Sequence, residues 1–300
     1  MKTRLLVSAI IVLALGVFTS CDTGGTNGDT TNYWTTNSLI KMQLHGSVHT
    51  MTISLGDGST VYTFNTDGNL SSEAYGGSTT TYAYENGKLI SQTSGSSTTT
   101  YEYENAGKYI PRFPFHIYMA GLVPGLSAMI TTNNRTDYDF HGDDLWMVSS
   151  SAGIPTDTMV FQYTGNYPTS ITTYSDAQNH SIISMTYAEN GMFKTYTENY
   201  SGPSYQENRV VTFLADDVYQ LENKWVTTNT YQSEETITTT NYTYNDHKDI
   251  TEQSSGSWGT QYIDYVYDNT GNWTSRKSRY STGDSTWSDY TTETRSFTYY

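Results

Sequence analysis

Residues 82–107 read YAYENGKLISQTSGSSTTTYEYENAG, and the pattern Y-x-Y-E-N occurs twice within them, nineteen residues apart. Tyr82 and Tyr84 are two residues apart, so in a β-strand both side chains project from the same face. Asn86 and Gly87 follow, and an Asn-Gly pair readily adopts the positive φ angles of a tight hairpin turn. The chain then returns as a second strand and reverses again at SGSS. One copy of the pattern therefore predicts two antiparallel strands.

Copies of this hairpin run along most of the chain. Clear copies begin at Tyr62, Tyr82, Tyr101, Tyr242 and Tyr265, and weaker forms begin at Tyr138, Phe161, Thr186 and Thr212. Their spacing starts near 20 residues and widens to about 30. Threonine and tyrosine, which favour strands, are abundant, whereas leucine, alanine and glutamate, which favour helices, are scarce. The sequence predicts an all-β fold, an antiparallel meander of about 20 strands.

The number of strands limits the shape of the sheet. About 20 strands spaced near 4.8 Å would make a flat sheet almost 100 Å wide, and open sheets rarely exceed about ten strands without curling. We therefore expect the sheet to roll into a curved sheet or a wide barrel. The face opposite the tyrosines carries mostly Thr, Ser, Gln and Glu, whereas the outward band of a transmembrane barrel is apolar. This pattern predicts a water-soluble barrel with its aromatic face packed.

The N-terminus has the features of an export signal. MKTR precedes the apolar run LLVSAIIVLALGVF, and the only cysteine, Cys21, follows shortly after. A basic start, a run of about 14 apolar residues and small residues behind it predict a signal peptide over residues 1–20. Residues 21–32 are predicted to form a flexible tether, and residues 33–300 the repeat domain. A soluble secreted protein with an unrelated cysteine is the alternative.

The segment FTSC resembles a bacterial lipobox. The resemblance implies cleavage before Cys21 and acylation of its thiol and of the new amino group. Acyl chains would hold the protein on a membrane without any spanning segment. We therefore expect a lipid-anchored protein of the cell envelope, on the outer membrane, with its periplasmic or surface orientation left open.

An irregular segment near residues 109–157 interrupts the repeat. It contains four of the six prolines: Pro111, Pro114, Pro124 and Pro155. Because proline is poorly placed in central strands, part of this segment is predicted to be a loop or a short helix. It could cover an open end of the rolled sheet, or it could be the packed junction between two repeat arrays.

The pattern Y-x-Y-[DEN]-x-x-G-[NK], with YVYDNTGNWTSRKSRY over residues 265–280 as its best instance, resembles the YD repeat of the RHS family. In organisation the chain is similar to short bacterial lipoproteins of unknown function that carry such repeats behind a lipobox. That resemblance implies a porin-like fold or a large curved β-sheet. It covers roughly residues 62–110 and 138–300. The chain lacks the length of the large RHS toxins, and we find neither their aspartyl-protease motif nor a toxin tail.

The charge of the chain excludes one class of partner. The net charge is −15, and loss of Lys2 and Arg4 with the signal peptide would make it −17. A nucleic acid or an anionic lipid surface would meet net repulsion. We therefore expect no nucleic-acid partner.

No pattern in the sequence predicts an enzyme, a cofactor or a metal site. Adjacent acidic residues occur at Asp143-Asp144, Asp216-Asp217 and Glu234-Glu235, but neighbours on a strand point to opposite faces, so neither can assist the other. His45 and His49 lack an HExxH glutamate and a third obvious ligand. The acidic pairs are expected to lie in solvated turns, whereas His45 and His49 share a strand face or flank a turn. A hydrolase is the least favoured function.

Aromatic residues in the last third of the chain give a hypothesis for ligand binding. Exposed indole and phenol rings stack on sugars, while amides and hydroxyls bond the sugar rims. The candidate binding residues are Trp258, Trp273, Trp287, Tyr265 and Tyr267. The alternative is that these rings form a cross-strand ladder that stabilises a sheet poor in aliphatic residues.

The sequence therefore favours a non-enzymatic envelope lipoprotein that acts as a binding or structural module. Its partner could be a glycan or another envelope protein. A component of a surface polysaccharide-capture system is the second hypothesis.

Overall fold

The computed structural model of the protein describes residues 37–55, 58–111, 122–131, 134–141, 144–151, 154–174, 180–201, 205–215, 219, 221–231, 234–282 and 286–300. The predicted signal peptide, Cys21 and the predicted tether lie outside the described residues. So do Pro114, Asp143, Asp216 and Asp217 among the residues considered above.

The described residues form one short helix and 22 strands. The elements are α1 (Ser38–Lys41), β1 (Val48–Leu55), β2 (Gly58–Phe64), β3 (Leu70–Tyr75), β4 (Ser78–Glu85), β5 (Lys88–Ser94), β6 (Ser97–Tyr103), β7 (Tyr109–Pro111), β8 (Leu122–Pro124), β9 (Leu126–Ile130), β10 (Asn134–His141), β11 (Asp144–Ser151), β12 (Ile154–Thr164), β13 (Tyr167–Tyr174), β14 (His180–Tyr187), β15 (Phe193–Ser201), β16 (Tyr205–Phe213), β17 (Glu222–Tyr231), β18 (Glu234–Tyr244), β19 (Ile250–Ser255), β20 (Trp258–Tyr267), β21 (Trp273–Thr282) and β22 (Thr291–Tyr299).

Twenty of these strands form a single closed sheet. Each strand pairs antiparallel with the next barrel strand along the chain, and β6 pairs directly with β9. The first and last strands also pair, with Met51 opposite Phe297 and Thr52 opposite Ser296, so the sheet closes into a barrel. The predicted all-β antiparallel meander of about 20 strands is confirmed, and the sheet closes rather than remaining an open curved sheet.

Because successive hairpins point in opposite directions, the turns fall at two ends of the barrel. The end formed by residues 65–69, 86–87, 165–166, 188–192, 245–249 and 268–272 is called the capped end here. The end formed by residues 76–77, 95–96 and 256–257 is called the distal end.

The turns explain the Asn, Asp and Gly residues of the repeat. Asn86 and Gly87 have φ angles of 50° and 74°, as the Asn-Gly pair predicts. A longer turn occurs four times among the described residues, at 65–69, 188–192, 245–249 and 268–272, and in all but 188–192 its first residue is Asn or Asp. In the last of these, Asp268 Oδ1 accepts hydrogen bonds from the backbone N–H of Thr270 at 2.9 Å and of Asn272 at 3.0 Å. The acidic or amide side chain at the first position therefore satisfies backbone donors inside the turn.

The tyrosines of the repeat bond to backbone carbonyls at β-bulges. Where Tyr244 pairs with Ile250 and Thr243 with Glu252, Thr251 is the extra residue of a bulge. The hydroxyl of Tyr265, on the next strand, donates to the Ile250 carbonyl that precedes this bulge, at 2.5 Å. Equivalent bonds join Tyr103 to Leu89, Tyr187 to Pro168 and Tyr244 to Glu222, each at the start of the strand before. A tyrosine hydroxyl thus gives these carbonyls a donor next to the disrupted strand pairing.

The inward side chains make one hydrophobic core. Its largest fully buried members are Tyr138, Tyr196, Phe64, Phe161 and Phe193. Burial follows the two-residue alternation of the strands, since Tyr82 and Tyr101 are buried whereas Thr81 and Glu102 are exposed. The prediction of an aromatic packed face is consistent with this alternation.

The segment that leaves the barrel is shorter than the predicted irregular region. The strands β7 and β8 pair with each other, and the chain returns to the barrel at β9. Ile110, Leu122 and Val123 of this hairpin are buried in the barrel core. The hairpin contacts the capped end, where the backbone N–H of Tyr109 donates to the Asn166 carbonyl at 2.9 Å.

The helix α1 also packs at the capped end. Asn37 caps it by accepting from the backbone N–H of Ile40 at 3.2 Å. Leu39 and Leu44 join the core, and the backbone N–H of Leu39 donates to the Gly68 carbonyl at 3.1 Å. Within the part of the chain that is described, no helix has the length and apolar character needed to cross a membrane.

The tyrosine bonds at the bulges should contribute to stability. Tyr187→Phe removes only the hydroxyl that donates to Pro168, and we expect a loss of about 1 kcal/mol in the free energy of unfolding. Urea denaturation measures this loss. The matched control is Tyr75→Phe, because the Tyr75 side chain is 63% exposed on β3. Equal losses in the two variants would contradict this role for the buried hydroxyl.

Candidate ligand site

A cavity of about 320 Å³ lies between the segment at the end of α1 and the inner face of β18–β22. This volume is at the lower end of the range of small-molecule pockets, about 300–1,000 Å³. Its lining consists of Lys41, Met42 and Gln43 at the end of the helix, Lys248, Asp249 and Ile250 near the β18–β19 turn, and Tyr244, Tyr262, Trp273, Arg276 and Arg295 on the barrel wall. The cavity is therefore walled by residues far apart in the sequence.

Arg276 is fixed in the wall by several partners. Its Nε donates to Glu293 Oε2 at 2.8 Å, and its Nη1 donates to the Tyr265 hydroxyl at 3.1 Å. Its guanidinium lies 3.9 Å from the ring centroid of Tyr262. Burial is the largest influence and would lower the pKa of Arg276, but the Glu293 carboxylate together with Tyr265 and Tyr262 outweighs it, so the pKa is raised. Arg276 is thus a buried, paired cation.

Arg295 is partly buried, and its charge is not matched in the same way. Its guanidinium lies 3.7 Å from the ring centroid of Trp273. Its Nε is buried and makes no hydrogen bond within the described residues. Burial, followed by repulsion from Arg276, lowers the pKa of Arg295 to about 9. Arg295 therefore remains protonated at neutral pH. Its side chain is part of the cavity lining.

Two carboxylates and two lysines complete the charge of the site. Asp249 Oδ2 accepts from the Tyr267 hydroxyl at 2.9 Å. Burial raises the pKa of Asp249, and the hydrogen bond from Tyr267 partly offsets the effect. The lining contains four cations: Lys41, Lys248, Arg276 and Arg295. It also contains the carboxylate of Asp249, and Glu293 lies behind Arg276. This cation-rich lining contrasts with the net charge of −15 of the whole chain.

Three of the predicted binding residues lie in this region, and their rings are already in contact with protein groups. Trp273 is 3% exposed, with the guanidiniums of Arg276 and Arg295 over its ring at 4.5 and 3.7 Å. The hydroxyl of Tyr265 is bonded to the Ile250 carbonyl, and Tyr267 stacks on His247 with ring centroids 3.9 Å apart. These rings support the cavity wall.

The other two tryptophans lie at the distal end, away from the cavity. Trp258 is 62% exposed and shares a strand face with the buried Tyr262. Trp287 is 39% exposed and lies on the opposite face of β20, because its ring is 3.5 Å from the position of a Cβ on Gly259. The predicted tryptophan set is therefore divided between the two ends of the barrel, and its exposed members are divided between two faces.

Trp287 belongs to a small aromatic cluster with a cation. Arg279 lies 4.7 Å from the ring centroid of Trp287 and 4.8 Å from that of Tyr290. Tyr290 is 42% exposed, and Tyr280 near Trp258 is 57% exposed. The distal end therefore presents accessible aromatic surface, unlike the cavity.

The acidic and histidine residues considered in the sequence take separate positions. Glu234 and Glu235 are exposed at the start of β18. The backbone of His45 bonds to the Asn272 side chain, and the His49 ring contacts Tyr300. Among the described residues, no group of three His, Cys, Asp or Glu side chains is placed to hold a metal ion.

Sequence reasoning missed the two arginines. Arg295 is an inward residue in the last strand, TETRSFTY, and arginine is unexpected at a position facing a core. A charged residue at an inward-facing position was therefore the one feature of the sequence that could have indicated this site. Its partners Asp249 and Trp273 are distant in sequence, so the site itself was not predictable from spacing.

Comparison with known proteins gives distant structural similarities. No protein-family model matches the chain, and no curated protein sequence matches it. A porin-like protein from Bacteroides uniformis ATCC 8492 is 12% identical, with a TM-score of 0.35 over 84% of this chain and 98% of that chain. A porin-like protein from Bacteroides vulgatus ATCC 8482 is 10% identical, with a TM-score of 0.29 over 84% and 98% of the two chains. TcdB2-TccC3 is 12% identical, with a TM-score of 0.31 over 74% of this chain and 13% of that chain.

The Arg276–Glu293 pair should stabilise the barrel wall. Glu293→Gln removes the carboxylate and leaves a buried guanidinium without its counter-charge, so we expect a loss of about 3 kcal/mol in the free energy of unfolding. The matched control is Glu102→Gln, because the Arg135–Glu102 pair is 44% and 46% exposed. That change should cost less than about 1 kcal/mol. Chemical denaturation measures the loss in the free energy of unfolding for both variants. A larger loss for Glu102→Gln than for Glu293→Gln would contradict this assignment.

Proposed function

We propose that the protein is a lipid-anchored component of the bacterial cell envelope, and that its barrel is a non-enzymatic binding module facing water. The observation that carries the binding role is the cavity at the capped end, whose wall combines the buried rings of Tyr262 and Trp273 with arginines in fixed contacts. The lipid anchor rests on the FTSC segment, and the relationship to YD-repeat lipoproteins remains a prediction from the sequence.

The outer face of the barrel supports a water-facing module. Glu102 lies on the outside because its neighbours Tyr101 and Tyr103 pack inside. It forms an ion pair with Arg135 at 3.0 Å, and Arg135 also pairs with Asp137 at 2.6 Å. The band of a membrane barrel that contacts lipid is apolar, because a charged side chain there costs several kcal/mol at mid-depth.

Threonine hydroxyls cover other parts of the same outer face. Thr50 and Thr298 contact through their hydroxyls at 2.7 Å across the β1–β22 seam, and Thr243 and Thr251 do so at 2.8 Å. Such pairs satisfy each other in part and leave acceptors for water. They support an outer surface in contact with solvent.

The contacts of the carboxylates support a non-enzymatic role. Glu293 is bonded to Arg276, and Asp249 accepts from Tyr267. A general acid or base must be within hydrogen-bond reach of a substrate proton. Both carboxylates are instead engaged in holding neighbouring side chains.

Lipid attachment is the first test of this function. Fatty-acid labelling of cells that express the full chain should label the protein and place it in the membrane fraction. Cys21→Ala should abolish both, because the acylated thiol would be lost. Thr23→Ala is the matched control and should keep both. Labelling that persists in Cys21→Ala would contradict the anchor at this residue.

Glycan binding at the distal end is the second candidate function. The exposure of Trp258 and Trp287 favours it, because accessible indole rings stack on sugar faces.

If the distal end binds glycans, Trp258→Ala and Trp287→Ala should each reduce retention in affinity electrophoresis through a polysaccharide gel. Each removes an exposed ring and should leave the thermal midpoint nearly unchanged. Tyr75→Ala removes an exposed ring at the same end, on β3, four strands around the barrel from β21, and serves as the control. Retention equal to the parent protein in both tryptophan variants would remove this candidate.

A further inference from the structure

We propose that the cavity at the capped end binds a small organic anion through a carboxylate or phosphate group, with Arg295 as the principal anchor. This inference deepens the binding role proposed above and rests on it. It assigns the chemical class of ligand and moves the main site away from the exposed tryptophans.

The state of Arg295 carries the proposal. A buried charge is normally paired and hydrogen-bonded, because removing it from water is costly. Arg276 has Glu293 as a close partner, whereas Arg295 Nε makes no hydrogen bond within the described residues. The charge of Arg295 is attracted by Asp249 and Glu293, but no acceptor is bonded to its Nε. A ligand in the adjoining cavity could supply a negatively charged acceptor to this guanidinium.

The surrounding charges favour an anion over a neutral ligand. Lys41 and Lys248 also line the cavity, so its lining holds four cations and the carboxylate of Asp249, with Glu293 behind Arg276. In an acidic chain, this local excess would attract an anion that the rest of the surface repels. Guanidinium groups also match carboxylate and phosphate oxygens with two parallel hydrogen bonds.

The rings of the cavity wall argue against recognition of a neutral sugar by stacking. Guanidiniums lie over both Trp273 and Tyr262, at 3.7 and 3.9 Å from the respective ring centroids. These cation–π contacts hold the arginines in position and occupy ring surface that a sugar would need. Met42 and Ile250 supply an apolar part of the wall.

The size of the cavity limits the ligand. A volume of about 320 Å³ fits one small molecule rather than a stretch of polymer. An acidic monosaccharide or a sugar phosphate has the required size and charge. D-glucuronate and D-glucose 6-phosphate are therefore suitable probes, and D-glucose is the neutral counterpart of both.

Thermal unfolding of the purified full chain tests the proposal, with ionic strength held constant by sodium chloride. At about 100 times its dissociation constant, a bound anion should raise the midpoint by roughly 5 °C. We expect this rise with glucuronate or glucose 6-phosphate and no rise with glucose.

Variants assign the effect to the cavity. Arg295→Met should abolish the rise with either anion. It should lower the midpoint of the unliganded protein less than the loss of a paired arginine such as Arg209 does. Arg209→Met is the matched control, because Arg209 is a partly buried arginine paired with Glu198 and Glu207. It should lower the midpoint and keep the anion effect. Lys248→Gln, at an exposed residue, should weaken the anion effect.

The outcomes separate this inference from the function on which it rests. If neither anion raises the midpoint, or if Arg295→Met and Lys248→Gln both respond like the parent protein, the anion site is overturned. If a neutral polysaccharide stabilises the protein instead, the binding role survives and the ligand class is wrong. If the protein binds none of these ligands and Cys21→Ala remains in the membrane fraction, the proposed function itself fails.

Discussion

The pairing of β1 with β22 is the constraint on which the rest of the structure depends. It joins residues more than two hundred positions apart, as in the contact of Thr50 with Thr298. The closed ring leaves no unpaired edge in the main sheet, and an exposed edge would be a template for association with other chains. Closure also sets the size of the interior. A barrel of eight strands is just filled by its own side chains, whereas wider barrels leave space.

The capped end shows how part of this space is filled. Tyrosine supplies a large ring, and the bulges supply carbonyls for its hydroxyl, as in the bond from Tyr187 to Pro168. The short helix α1 and the β7–β8 hairpin add Leu39 and Ile110 to the same core. The cavity near Arg295 is space that these additions do not occupy. Its buried charges would be costly in a structural core, and an anionic ligand would offset that cost.

Local features of the fold were predictable because they depend on neighbours in sequence. Asn86 and Gly87 form the expected turn, and the alternation of Tyr82 and Tyr84 with polar residues places the tyrosines inside. The closed form of the sheet was not decided by the sequence, because the register of Met51 against Phe297 is a long-range property. Strand number and the usual limit on open sheets could only require that the sheet roll.

The candidate site was predictable in region but not in chemistry. The aromatic content of the last third of the chain predicted Trp273 and Tyr265 as binding residues, and both contribute to the cavity region. Their role could not be read from the sequence, because it depends on where Arg276 and Arg295 are placed in the folded barrel. Trp258 and Trp287 look equivalent to Trp273 in sequence, yet they lie at the distal end and are exposed. Spacing along a strand gives the face of a side chain, whereas its partners across the barrel come only from the fold.

Disulfide formation across the β1–β22 seam tests the closed barrel most directly. In a Cys21→Ala background, Thr50→Cys with Thr298→Cys would place two thiols at directly opposed positions of the seam. Thr93→Cys with Thr98→Cys is the matched control within one hairpin, where the parent hydroxyls are 3.0 Å apart. Closure predicts that both pairs form an intramolecular disulfide on mild oxidation, since opposed residues of paired strands lie within the required Cα distance of about 4.4–6.8 Å. A hairpin pair that oxidises while the seam pair stays reduced would contradict the closed barrel.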